Sequence, residues 1–199
     1  MIHVDAQPEP DSFDSEVRQK GIAWLQKKNI LLDQPLPCKT KIETFWRSCL
    51  DDLHTSYNGY CAYLSIFFER VTEGGSVDHF IAKSKRADLA YEWSNYRLAC
   101  SRMNSRKGKF DDVLDPFEIE TGWFCLEPVT GRIYPNPVLA QDKQEAVQTT
   151  INRLKLDDAG NREMRARHYQ EYCESEYTAD FLRKRSPFVW LEVKRQGLL

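Results

Sequence analysis

Apolar positions along the chain come in short runs whose spacing keeps changing. Over residues 42–53, Ile42, Phe45, Trp46, Cys49, Leu50 and Leu53 recur every three or four residues, which predicts one helix across Ile42–Leu53 with a single buried face. Val17, Ile22, Leu25 and Ile30 predict an amphipathic helix over 15–30. Tyr57–Tyr60 breaks the helical pattern, and Tyr63–Arg70 reads as a strand or a buried turn. After the Gly74–Gly75 turn, Ser76–Ile81 and Tyr96–Cys100 read as strands around a polar loop at 82–94. Ser101 reads as the cap of a helix carrying Met103, Asn104 and Lys107. Beyond Asp115–Pro116, Thr121–Glu127 and Arg132–Tyr134 predict a hairpin around 128–131. Val147, Ile151 and Leu154 mark another amphipathic helix. Residues 161–176 read as a charged helix with Met164, His168 and Tyr172 along one side, followed by the apolar Phe188–Leu191.

These elements predict an α+β fold in four segments: an acidic flexible leader at 1–14, helical segments at 15–56 and 113–199, and a small core at 57–112. Composition agrees with a soluble globular chain. Of 199 residues, 41% are hydrophobic and 29% charged, with a mean hydropathy of -0.61. No apolar run approaches the roughly 20 residues of a bilayer span. The first sixteen residues are acidic and proline-containing, unlike a secretory signal, so a cytoplasmic location is expected. The six cysteines are accordingly expected as reduced thiols. Cys61–Leu64 and Cys100–Met103 each look like half of a zinc knuckle whose second ligand has become apolar. Structural zinc is therefore not expected.

The formal charge is -2, which argues against a bulk nucleic-acid coat. Its distribution is uneven. Residues 83–109 hold Lys83, Lys85, Arg86, Arg97, Arg102, Arg106, Lys107 and Lys109 against Asp88 and Glu92, a local +6. The other 20 basic and 28 acidic residues give −8.

The chemistry gathers in Val77–Lys109. Asp78 and His79 are adjacent at a predicted strand end. A carboxylate is a hard ligand for Mg²⁺, and a neutral imidazole takes a proton from water near neutral pH. Asn104 and Lys107 share one helix face, and an amide oxygen is a second hard ligand that adds no negative charge near a phosphate. One carboxylate, one amide, one imidazole and surrounding cations suit metal-assisted hydrolysis of a phosphodiester.

This stretch resembles the HNH endonucleases and their ββα-metal fold. Asp78-His79, the central Asn95 and the helical Asn104 stand where that pattern has them. The spacing from Asn95 to Asn104 and Lys107 is similar to that of the HNH domain of the RNA-guided CRISPR nuclease. The resemblance implies that His79 is the general base and that Asp78 and Asn104 hold Mg²⁺ or Mn²⁺. It also implies that Asn95 holds the loop and orients the His79 backbone, and that Lys107 contacts phosphate. Lys83, Lys85, Arg86, Arg97, Arg106 and Lys109 are the expected nucleic-acid contacts. Trp93 is a core residue or a platform for a base. In the wider segment, "YCAY…SVDHF…YEWSNYRLAC" followed by "VLDPFEI" resembles the retron-associated and Septu-type antiphage HNH proteins. That implies DNA as substrate and an ABC/SMC-like ATPase, encoded alongside, as partner. A ribonuclease acting on structured RNA such as tRNA, and a non-cleaving binding module, are the alternatives.

Overall fold

The computed structural model describes residues 1–37, 39–71 and 74–199, and these fall into two compact units. One comprises Asp5–Gly59 and Phe68–Asp111; the other comprises Met1–Val4, Tyr60–Phe67 and Asp112–Leu199. Both mix helices with a two-stranded antiparallel sheet, so the fold is α+β as expected.

In the first unit a π-helical turn at Asp14–Arg18 runs into α1 (Gln19–Lys27). Gly21 of α1 lies against the Tyr91 ring: a Cβ there would sit 2.1 Å from that ring. The continuous helix predicted over Ile42–Leu53 is instead a 3₁₀ turn, Phe45–Arg47, followed by α2 (Leu50–Ser56). Two local features interrupt it. The Ser48 hydroxyl donates to the Phe45 carbonyl, and Thr44 and Cys49 leave helical dihedrals. The apolar stripe survives the break, since Trp46, Cys49 and Leu53 are all buried. β1 (Gly75–His79) then pairs antiparallel with β2 (Tyr96–Cys100), and α3 (Ser101–Lys107) packs on both strands. Ser101 is the first residue of α3 rather than its cap, and its hydroxyl donates to the Gly74 carbonyl.

The second unit contains the predicted hairpin, β3 (Phe124–Glu127) and β4 (Arg132–Pro135). Gly131 closes it at φ +69, in a space so tight that a Cβ would lie 2.0 Å from the Arg162 carbonyl oxygen. Four helices follow: α4 (Gln141–Leu154), α5 (Ala159–Cys173), α6 (Ala179–Arg185) and α7 (Pro187–Arg195). α5 buries Asn161, Arg165 and His168, a polar stripe displaced from the Met164–His168–Tyr172 side read in the sequence. Buried Arg165 is satisfied by donating to the carbonyls of Gly131 and Leu156.

Residues 1–14 are anchored instead of trailing as a leader. Met1 is 2% and Phe13 0% exposed. The Val4 amide donates to the Pro116 carbonyl within one unit, while Phe13 packs on Trp93 and Tyr96 within the other. The five described cysteines form no disulfide among themselves; Cys38 lies outside the described residues.

Candidate active site

Strand pleating decides what β1 can present. Successive side chains alternate between faces, so Ser76 and Asp78 share one face while Val77 and His79 share the other. Asp78 lies opposite Arg97 in the register and His79 opposite Tyr96. His79 is buried, with the rings of Trp46 and Tyr96 nearly perpendicular to its own at 4.6 and 5.1 Å between centroids.

The tautomer of His79 follows from its partner. Nε2 lies 3.0 Å from the carbonyl oxygen of Ala90, which also accepts from the Tyr96 hydroxyl at 2.7 Å. A carbonyl oxygen only accepts, so Nε2 carries the proton and Nδ1 keeps the basic lone pair. Burial, reinforced by the charges of Lys83 and Lys107, pushes the imidazole down from its usual 6.5 to about 3. The ring is therefore neutral at physiological pH.

Two buried polar residues fix the end of β1. Asn95 receives the Ile81 amide on Oδ1 at 2.8 Å and donates through Nδ2 to the carbonyls of Ile81 and Leu89, at 3.0 and 2.8 Å. Its own carbonyl takes the Phe80 amide at 2.9 Å. Asn95 thus ties the 81–89 loop and the backbone just beyond His79. Lys107 is 0% exposed; its ammonium donates to the carbonyls of Phe80 at 2.6 Å and His79 at 3.3 Å and lies over the Phe80 ring. It clamps the strand end from within, whereas the HNH resemblance implies a phosphate contact for it.

Asn104 projects from α3 onto the Asp78 face. Its Nδ2 donates to Ser76 Oγ at 3.0 Å and to the Val77 carbonyl at 3.2 Å, and Ser76 Oγ in turn donates to the Ala99 carbonyl at 2.9 Å. Because the Val77 carbonyl can only accept, the amide orientation is set and Oδ1 turns to the opposite side. Asp78 is 1% exposed on the same strand face as Ser76. Two hard oxygens suit Mg²⁺ or Mn²⁺, which fill their remaining positions with water and phosphate oxygens. Among the described residues no group of three or more His, Cys, Asp and Glu side chains converges on a metal position, so a cation here would rest on this pair.

The basic side chains are placed unequally. Lys83 is half-buried, its ammonium 5.4 Å over the Trp46 ring, and its charge acts on both Asp78 and His79. Lys85 pairs with Asp111, and Arg86 with Asp88 at 2.6 Å. Arg97 is buried, donating to the Ser94 and Tyr96 carbonyls over the Phe80 ring. Arg106 is half-buried on α3, and Lys109 is exposed beyond it. Arg97, like Lys107, is thus spent inside the fold, while Lys85 and Arg86 are paired with carboxylates at the surface. Trp93 is core: it is buried and donates from Nε1 to the Gln7 carbonyl.

Sequence reasoning missed Trp46, Tyr96, Ser76 and the Ala90 carbonyl. Trp46 was hidden in an apolar stripe that reads as ordinary core. Tyr96 reads as an ordinary strand residue, and Ser76 and the Ala90 carbonyl act through hydrogen bonds that leave no compositional signal.

The fold and site define a ββα unit: an antiparallel ribbon backed by a helix, with a neutral imidazole at the strand end and a carboxylate and a fixed amide on the opposite face. No family model matches the chain. It is similar to the Septu protein PtuB of Bacillus thuringiensis, 23% identical over 116 residues, which cover 58% of this chain and 40% of that protein. The matched region thus spans less than half of that relative's length. No described helix is long and apolar enough to cross a membrane.

Proposed function

We propose that the chain is the nuclease component of a Septu-type antiphage defence system: a metal-dependent HNH endonuclease that hydrolyses phosphodiester bonds of DNA and works beside an ATPase partner. The observation that carries this reading is the His79 imidazole, with Nε2 committed to Ala90 and the lone pair left on Nδ1, at the end of a strand whose other face bears Asp78 and Asn104. The similarity to the Septu protein PtuB supports the Septu-type assignment.

In this reading Nδ1 of His79 takes a proton from a water whose oxygen attacks phosphorus. The bond from phosphorus to the 3′ oxygen breaks, leaving a 5′-phosphate and a 3′-hydroxyl that takes its proton from solvent. Asp78 and Oδ1 of Asn104 would hold Mg²⁺ or Mn²⁺, which supplies Lewis-acid stabilisation of charge on the phosphate and the leaving oxygen. Asn95 and Lys107 touch neither water nor substrate; they keep the strand end, and so the imidazole, in place.

Supercoiled plasmid, incubated with the chain alone and with the ATPase encoded beside it, tests the proposal. Nicking or linearisation that needs Mg²⁺ and stops with EDTA is expected. Cleavage that persists in EDTA, or no cleavage in any combination, would overturn it.

A further inference from the structure

Trp46 belongs to the 45–47 turn, far in sequence from β1, yet it touches two groups of the site. Its ring meets the His79 imidazole at 4.6 Å and 83°. The same ring carries the Lys83 ammonium at 5.4 Å from its centre. The charge of Lys83 in turn acts on both His79 and Asp78. One buried indole therefore links the imidazole to a cation that the carboxylate also attracts.

We propose that Trp46 is a positioning residue of this site: it fixes the plane of the His79 imidazole and seats the Lys83 ammonium beside it, so that Lys83 meets the scissile phosphate as a catalytic residue. The part concerning Lys83 rests on the nuclease reading; the part concerning Trp46 does not. A free lysine side chain has a flexible four-carbon stem and must lose rotamer freedom to hold one position. Stacking over an indole orders it in advance, through cation–π attraction and the stem's own apolar contact. The cation is then in place before charge develops on the phosphate, the condition under which electrostatic stabilisation acts most strongly. Lys85 and Arg86, next along the loop, are instead paired with Asp111 and Asp88.

Two measurements on the full chain test this. In plasmid nicking with Mg²⁺, Lys83→Met and Trp46→Leu should each lower kcat about 10- to 100-fold with KM changed less than threefold. Trp46→Phe should keep most of the activity. The double variant Trp46→Leu/Lys83→Met should be no slower than the worse single one, because both changes remove the same seated cation. Additive losses, or a loss confined to KM, would overturn the proposal. Nitrogen-15 NMR of the imidazoles, with the His79 signal assigned by loss in His79→Gln, should show a fixed Nε2-protonated ring in the wild type and in Trp46→Phe. In Trp46→Leu the tautomers should average. An unchanged spectrum in Trp46→Leu would remove the positioning role. A wild type that cleaves no nucleic acid would remove the nuclease reading and the role of Lys83 with it, while the NMR result would still decide for or against Trp46.

Discussion

The His79 imidazole donates from Nε2 to the Ala90 carbonyl oxygen at 3.0 Å. Ten residues, 80–89, separate the two, so the ring keeps this partner only if that segment is held. The loop's ties to Asn95, and the clamp of Lys107 on the strand end, thus hold the ring and its partner in place.

Lys107→Met tests the clamp. Two carbonyls lose a buried donor, so stability should fall by about 1–3 kcal/mol, read from urea denaturation. The salt dependence of DNA binding should keep its slope. A phosphate contact would instead lower that slope by about one on removal.

Asn95→Ala removes an acceptor for the Ile81 amide and donors to two carbonyls. Amide exchange at Ile81 should quicken and stability should fall by about 1–3 kcal/mol. Asn95→Asp should keep the protection of the Ile81 amide, because the acceptor remains, while losing both donations.

Asp78→Asn and Asn104→Ala should each raise the Mg²⁺ concentration for half-maximal cleavage about tenfold or more, since each removes or weakens one of the two protein oxygens proposed as ligands. An unchanged Mg²⁺ requirement in either variant would exclude that residue as a ligand.

Acid should destabilise the fold through His168. The Nδ1 of His168 is 2.7 Å from Ser186 Oγ. Burial pushes this imidazole down from 6.5 to about 4, aided by the charges of Arg185 and Arg167 and opposed by Glu171. In the unfolded chain it protonates near its usual value. Between these two values the unfolded state binds more protons, so the stabilising contribution is full above about pH 6.5 and is lost as pH falls to about 4, up to about 3 kcal/mol. Urea midpoints at pH 7.5 and 5 should fall in that order, and His168→Gln should flatten the difference. His79, also buried neutral, adds to the trend with the same sign.

The ββα unit was legible in the sequence because its elements are local: two strand runs, a turn at Gly74–Gly75, and a helix carrying Met103 inward. β2 and the α4 stripe were also readable. Three features were not. The 42–53 helix breaks where Ser48 competes for a backbone carbonyl and Trp46 is drawn onto His79, so a tertiary contact overrides the periodicity. The buried side of α5 is built from Asn161, Arg165 and His168, which a hydrophobic pattern cannot reveal. Lys107 reads as a surface cation, and only the geometry shows both its carbonyl partners. At the site, residue types were visible while their orientations were not: the tautomer of His79 and the direction of the Asn104 amide follow from backbone carbonyls.

His79→Gln tests the central claim most directly. Glutamine can fill the ring's place and still donate to the Ala90 carbonyl, but it has no basic nitrogen. The variant should fold, bind plasmid DNA as the wild type does, and cleave it about 10²- to 10⁴-fold more slowly at saturating Mg²⁺. Cleavage within a few-fold of the wild-type rate would contradict the account.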